Sequence, residues 1–103
     1  MIYEQISMER AKQIMAQETN YVILDVRTEE EYANGHIPNA ICVPNESIRD
    51  MQPAALPYRN QLILVYCRSG ARSKQAAQKL AFLGYTNVKE FGGIIDWNGG
   101  LEW

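Results

Sequence analysis

Two apolar runs organise the chain. Tyr21-Val22-Ile23-Leu24 and Leu62-Ile63-Leu64-Val65-Tyr66-Cys67 are hydrophobic without alternation, the pattern of parallel strands buried on both faces. Around them the period changes. Met8, Ala11, Ile14 and Met15 recur at helical spacing after Ser7, a residue suited to an N-cap, with Glu9 in the first turn. Thr28-Glu29-Glu30-Glu31 has the spacing of a capping box and opens a short helix that Gly35 can close. Ala76, Ala77, Leu80 and Leu83 form the inward face of a helix predicted over 73–83, with Gly84 at its C-terminal end. Shorter strands are predicted over 2–6, 40–43 and 88–91, and a helical turn over 94–97. Residues 45–60 stay ambiguous, because Pro44, Pro53 and Pro57 limit any helix there. Strands alternating with helices imply an α/β fold, a mostly parallel sheet flanked by helices on both faces. Ligands of such sheets bind beyond the carboxyl ends of the strands. Three segments deliver polar residues to that edge: Asp25-Val26-Arg27, Asn45-Glu46 and Cys67-Arg68-Ser69-Gly70-Ala71-Arg72-Ser73.

Composition narrows the classes. The 103 residues are 47% hydrophobic and 21% charged, which suits one self-supporting domain over 1–103 and excludes a disordered chain or a coiled coil. No apolar run approaches the ~18 residues of a membrane span. Met1-Ile2-Tyr3-Glu4-Gln5 has none of the features of a targeting leader, so a cytoplasmic protein is expected, without a membrane partner. The net charge of −2 argues against a nucleic-acid partner. That charge is unevenly spread. Residues 51–89 contain no acid but carry Arg59, Arg68, Arg72, Lys74, Lys79 and Lys89, whereas the remainder holds twelve acids and four bases. Nothing in the pattern demands an obligate interface, so a monomer is expected.

Two cysteines and one histidine provide neither a disulfide framework nor a zinc-ligand spacing; no metal or cofactor is expected. Cys42, in the apolar segment Ala40-Ile41-Cys42-Val43, reads as a small packed hydrophobe. Cys67 is different. It ends a buried strand, precedes a loop containing Gly70, and a helix follows. Successive N–H groups in such a loop form an anion-binding concavity, the helix adds its positive end, and Arg68 and Arg72 add full charges. All of these favour thiolate. A fall of ~2 units from a pKa of ~8.5 raises the thiolate fraction at pH 7 ~25-fold. The accompanying loss of nucleophilicity takes back ~8-fold of that. The loop must therefore act mainly by holding an anionic substrate and stabilising charge beside the sulfur.

Cys67-Arg68-Ser69-Gly70-Ala71-Arg72-Ser73 resembles the active-site loop of the rhodanese (sulfurtransferase) family. Leu24-Asp25-Val26-Arg27 with Glu31-Tyr32 and Gly35-His36-Ile37-Pro38-Asn39-Ala40 resembles its N-terminal signature, and Phe91-Gly92-Gly93-Ile94-Ile95-Asp96-Trp97 its C-terminal one. The three occur in order and span nearly the whole chain, as in a single-domain member. The resemblance implies a five-stranded parallel sheet flanked by helices. It also implies a ping-pong reaction in which Cys67 takes the outer sulfur of a small anionic donor such as thiosulfate, becomes a persulfide, and passes that sulfur to cyanide or to a small or protein thiol. Residues 68–73 would hold the donor and the persulfide. Asp25, Arg27 and His36 are expected to brace the site rather than touch substrate, and Gly92-Gly93 to allow a tight turn beside it. Arg72 can contact the anion or form a structural ion pair with Asp25 or a neighbouring acid. Phe91 and Trp97 are expected in the core.

Two other readings compete. A Cys-dependent phosphatase or arsenate reductase has five residues between its cysteine and arginine; here four separate Cys67 from Arg72, and Tyr66 stands where many such phosphatases carry histidine. The smaller ring suits a sulfur-sized centre. A persulfide carrier or sensor would use the same residues as the enzyme.

Overall fold

The structure, a computed structural model, describes residues 2–103. Five strands form one sheet: β1 (Glu4–Gln5), β2 (Tyr21–Asp25), β3 (Ile41–Cys42), β4 (Leu62–Cys67) and β5 (Val88–Gly93), in the order β1-β5-β4-β2-β3. Every pairing within it is parallel. Helices α1 (Met8–Gln17), α2 (Glu29–Ala33) and α3 (Ala71–Phe82) make the connections, with 3-10 turns at Asn45–Ser47 and Ile94–Asp96.

The two apolar runs are the neighbouring central strands, with Tyr21 in register with Leu62 and Asp25 with Tyr66. Because side chains alternate across a strand, each run feeds two cores. Ile63, Val65 and Cys67 join Leu24, Val26 and Val88 against Ala76, Ala77 and Leu80 of α3. Leu64 and Tyr66 join Ile23 and Phe91 against Ala11 and Ile14 of α1. Helices therefore cover both faces, as the alternation implies. The segment between β3 and β4 forms one 3-10 turn and is otherwise irregular; it folds onto the α3 core through buried Ile48 and Leu56. The Tyr85 hydroxyl donates to the Leu56 carbonyl at 2.5 Å and pins it there.

Local signals set the helix ends. The Ser7 side chain accepts from the Arg10 N–H. The box at α2 is reciprocal: the Thr28 Oγ1 accepts from the Glu31 N–H and Glu31 Oε1 from the Thr28 N–H. At the end of α3 the Gly84 N–H bonds the Ala81 carbonyl and the Tyr85 N–H the Leu80 carbonyl. Gly84, at φ +98°, supplies the left-handed residue this paired closure requires.

Three expectations are corrected. The strand expected over 2–6 pairs only at Glu4 and Gln5, because it lies at the sheet edge with a single neighbour. The strand expected over 40–43 is likewise only Ile41–Cys42, at the opposite edge. Helix α3 begins at Ala71, not Ser73, because Gly70 caps it at φ +110°. The turn between β4 and α3 is thus only Arg68-Ser69-Gly70, and Ala71, Arg72 and Ser73 belong to the first helical turn.

Candidate functional site

The site is built where β4 runs into α3, at the carboxyl edge of the sheet. Cys67 is the last residue of β4 and is 1% exposed. The three-residue turn reverses the backbone so that the Gly70 N–H donates to Cys67 Sγ at 3.0 Å. The Ser73 hydroxyl, one helical turn on, lies 3.4 Å from the same sulfur. Burial pushes the Cys67 thiol up. Hydrogen bonds from the Ser73 side chain and from the backbone N–H groups of Ser73, Gly70 and Ser69 outweigh it and hold the thiol below its ordinary value. Arginine charge is not among the main causes.

β5 closes the other side. Its pairing with β4 runs Val65 to Glu90 and then Cys67 to Gly93, so β5 carries one extra residue. Gly92 takes that bulge at φ +100°. The bulge presses Gly93 against the Arg68 and Ser69 backbone, and the Ile95 N–H donates to the Arg68 carbonyl at 3.3 Å. The last strand and the sulfur loop are therefore one packed unit.

The end of β2 provides a second buried polar cluster. Asp25 Oδ1 accepts from the Arg27 N–H and Nε at 3.0 Å each, and Oδ2 from Arg27 Nη2 and the Tyr66 hydroxyl at 2.6 Å each. Arg27 Nη2 also donates to the Gly35 carbonyl at 2.8 Å, and the Tyr66 hydroxyl accepts from the Ile37 N–H. Burial foremost, and then the Asp25 carboxylate, push the Tyr66 phenol well above its usual range, so it stays a donor. The cluster ties β2, β4 and the loop after α2 together.

These features coincide with a family match: a family model described as a rhodanese-like domain fits residues 7–99. The chain belongs to the rhodanese-like family. It is 37% identical to the thiosulfate sulfurtransferase PspE of Escherichia coli over 71% of this chain and 70% of that protein. It is also 37% identical to a sulfurtransferase of Allochromatium vinosum over 90% of this chain and 86% of that one. A crystal structure of a rhodanese-like domain protein from Staphylococcus aureus superposes with a TM-score of 0.82 at 32% identity, covering 96% of each chain.

Within this rhodanese-like chain the expected site residues separate into groups. Cys67, Gly70 and Ser73 converge on the sulfur. Ala71 lies in the first turn of α3, while Arg68 and Ser69 are exposed on the turn. Arg72 is engaged by an acid: its guanidinium forms a two-pronged pair with Glu31, Nη1 to Oε1 at 2.7 Å and Nη2 to Oε2 at 3.0 Å. Arg72 foremost, with the Thr28 hydrogen bonds, holds the Glu31 carboxyl down to about 2 against its partial burial. Of the acids weighed for Arg72, Asp25 is thus excluded, being committed to Arg27 and Tyr66. Asp25 and Arg27 lie in the buried cluster with Tyr66 and make no hydrogen bond to Cys67. His36 sits apart from the sulfur. Its Nδ1 is 2.9 Å from the Tyr32 carbonyl, its ring stacks on Tyr32 at 3.7 Å, and its backbone bridges to Glu102. Phe91 is buried in the α1 core, and Trp97 is half-buried against it.

The sequence motifs do not single out Glu90. It is 2% exposed, and its Oε2 accepts from the Ser73 hydroxyl at 2.5 Å and from the Gly92 N–H at 2.9 Å. A signal existed: Val88 and Glu90 share one face of β5, so an acid sits at an inward position of a buried strand. The acid-free stretch 51–89 is also not acid-free in space, since Glu31 meets Arg72 and Glu4 meets Lys89. Among the described residues no helix is long and apolar enough to cross a membrane, and no group of three His, Cys, Asp or Glu side chains forms a metal cluster.

Proposed function

We propose that this chain is a sulfurtransferase that carries a sulfane sulfur on Cys67. The observation that supports it most is the convergence of N–H and hydroxyl donors on a buried sulfur at a strand-to-helix turn. The Cys67 thiolate attacks the outer sulfur of a small anionic donor such as thiosulfate. The donor's S–S bond breaks, and sulfite leaves with the electron pair. The persulfide that forms is anionic, and inward-facing donors of the 68–73 segment stabilise it. Cyanide or an acceptor thiolate, small or on a protein, then attacks the outer sulfur, and Cys67 departs as thiolate. No external oxidant or reductant enters this balance. The sulfurtransferase relatives from E. coli and A. vinosum support the same reaction class.

Intact mass spectrometry tests the reading. Thiosulfate is expected to add the mass of one sulfur atom, and cyanide to remove it. A mass that thiosulfate leaves unchanged overturns the proposal. Aryl phosphates are expected to be poor substrates, because the arginine that a Cys-dependent phosphatase turns toward its anion is here engaged by Glu31.

The paired state of Arg72 leaves Arg68 as the exposed charge beside the sulfur; it forms no ion pair among the described residues. Arg68→Ala is expected to lower kcat/KM for thiosulfate about 3–10-fold at low ionic strength and to flatten its decline with added salt, because steering by exposed charge is screened. Arg72→Ala is expected to show itself first as a stability loss of about 1 kcal/mol from the broken pair. Steady-state rates at two salt concentrations and thermal melts of both variants check this. Equal salt slopes for wild type and Arg68→Ala would contradict it.

A further inference from the structure

Ser73 has one hydroxyl proton and more acceptors than it can serve. Its Oγ lies 2.5 Å from Glu90 Oε2, 3.0 Å from the Gly70 carbonyl, and 3.4 Å from both the Gly92 carbonyl and Cys67 Sγ. A hydroxyl that donates to an ionised Glu90 cannot also donate to a Cys67 thiolate. With Cys67 as thiolate, both contacts are satisfied only when a further proton lies between Ser73 and Glu90. Glu90 is buried, and no lysine or arginine pairs with it among the described residues.

We infer that Glu90 accepts the proton of Cys67 through Ser73, and so is a positioning residue for sulfur transfer. The inference rests on the reading of Cys67 as the attacking sulfur. In the resting thiol, the Cys67 S–H donates to Ser73 Oγ and the Ser73 O–H donates to the Glu90 carboxylate. On activation the S–H bond breaks and its proton passes to Ser73 Oγ. The former Ser73 proton passes to Glu90 Oε2. The sulfur keeps its electron pair, nothing is oxidised or reduced, and the site keeps a single negative charge. Both hydrogen bonds have then reversed: Glu90 donates to Ser73, and Ser73 donates to the thiolate. The transfer needs no bulk water, which suits a cysteine that is 1% exposed.

The surroundings leave this pair to itself. From β4 the ionisable group at the site is Cys67. From α3, Arg72 is tied to Glu31, Lys79 to Asn45, and Lys74 is exposed. From the β1 side, Gln5 lies in register with Glu90, Glu4 is paired with Lys89, and Tyr3 packs on the same core. Arg68 is exposed on the turn.

The pH dependence of thiolate absorbance in the 103-residue chain tests the relay. Cys42, pushed up to about 11, stays silent over the range read. In Glu90→Gln the side-chain oxygen must still accept from the Gly92 N–H, so it also accepts from Ser73 and never donates back. The thiolate loses the Ser73 donor, and its midpoint is expected to rise by about one pH unit, a tenfold loss of thiolate below it. Were Glu90 an ionised bystander, Glu90→Gln would remove a negative charge and the midpoint would fall. The two accounts differ in sign, and an unchanged or lowered midpoint overturns the relay. Ser73→Ala is expected to raise the midpoint as Glu90→Gln does, and Ser73→Thr, which keeps the hydroxyl, to restore it. Should Glu90→Gln fail to fold, infrared spectra of the wild type decide. A protonated-carboxyl stretch that appears as the thiolate forms and is lost when Cys67 is alkylated supports the relay, and its absence overturns it. None of these measurements uses a sulfur donor. A missing persulfide with shifted midpoints sinks sulfur transfer, and a normal persulfide with a lowered Glu90→Gln midpoint sinks the relay.

Discussion

Cys67→Ser is expected to fold and to take up no sulfur, whereas Cys42→Ala loads as the wild type does. The serine side chain fits the same place, and its oxygen can accept the Gly70 N–H that now meets sulfur. Stability is therefore expected to change by no more than about 1 kcal/mol. What is lost is the nucleophile. A serine hydroxyl in a cradle of hydrogen-bond donors has no base strong enough to ionise it, and an oxygen cannot replace the sulfur that carries a persulfide. Cys42 lacks every feature that matters. It is half-buried, burial first and then the Asp25 charge push its thiol up to about 11, and its one hydrogen bond is a weak contact to the Arg27 carbonyl at 3.7 Å. Removing it costs about 1 kcal/mol of packing. Intact masses after thiosulfate and after cyanide separate the two. A Cys67→Ser protein that still gains one sulfur would refute the assignment. A Cys42–Cys67 disulfide appearing during turnover would replace it with a redox mechanism.

The parts of this molecule legible in the sequence are those settled by neighbours along the chain. The Ser7 cap, the Thr28–Glu31 box and the Leu80–Tyr85 closure each involve residues within a few positions of one another. The two continuous apolar runs, of four and six residues, read as buried parallel strands because they are strand-length and rich in β-branched and aromatic residues. The sulfur loop is legible for the same reason, since Cys67, Gly70 and Ser73 lie within seven residues of sequence. The rest depends on where strands land. Glu31 reaches Arg72 only because the sheet order places β2 beside β4, which brings the segment after β2 within side-chain reach of the segment after β4. Reading the charges along the chain makes the 51–89 segment look like an unopposed positive field, and folding neutralises two of its members. Tyr66 faces away from the sulfur, on the α1 side, where it caps Asp25. Glu90 is not legible in the sequence because its setting depends on a bulge two residues later, and Gly92 alone does not reveal whether it bends a strand or ends one.

That bulge makes Gly93→Ala the most damaging small substitution near the site. A Cβ at position 93 would lie 2.1 Å from the Arg68 carbonyl oxygen, 2.6 Å from its carbon and 2.6 Å from the Ser69 Cα. All three are backbone atoms of the turn that holds Cys67, so no side chain can rotate out of the way. The backbone of Gly93 itself is ordinary, at φ −131°, and the cost is steric contact rather than conformation. Gly92 is the reverse case: its φ of +100° disfavours any side chain, but a Cβ there meets nothing within 4 Å. Gly92→Ala is therefore expected to cost about 1–2 kcal/mol through the left-handed backbone alone. Gly93→Ala is expected to cost more than about 3 kcal/mol, seen as a fall of some 10–20 °C in Tm for a domain of about this size. The relief available to it is displacement of Arg68 and Ser69, which breaks the Ile95 N–H bond to the Arg68 carbonyl and draws the Ser69 and Gly70 N–H groups off the sulfur. Persulfide loading should fall at least about tenfold and the thiolate midpoint rise, since each lost donor removes charge-assisted stabilisation from the sulfur. Thermal melts and thiosulfate loading of the two alanine variants test the contrast. If Gly93→Ala melted and loaded like Gly92→Ala, β5 would not be the wall against which the sulfur loop is shaped.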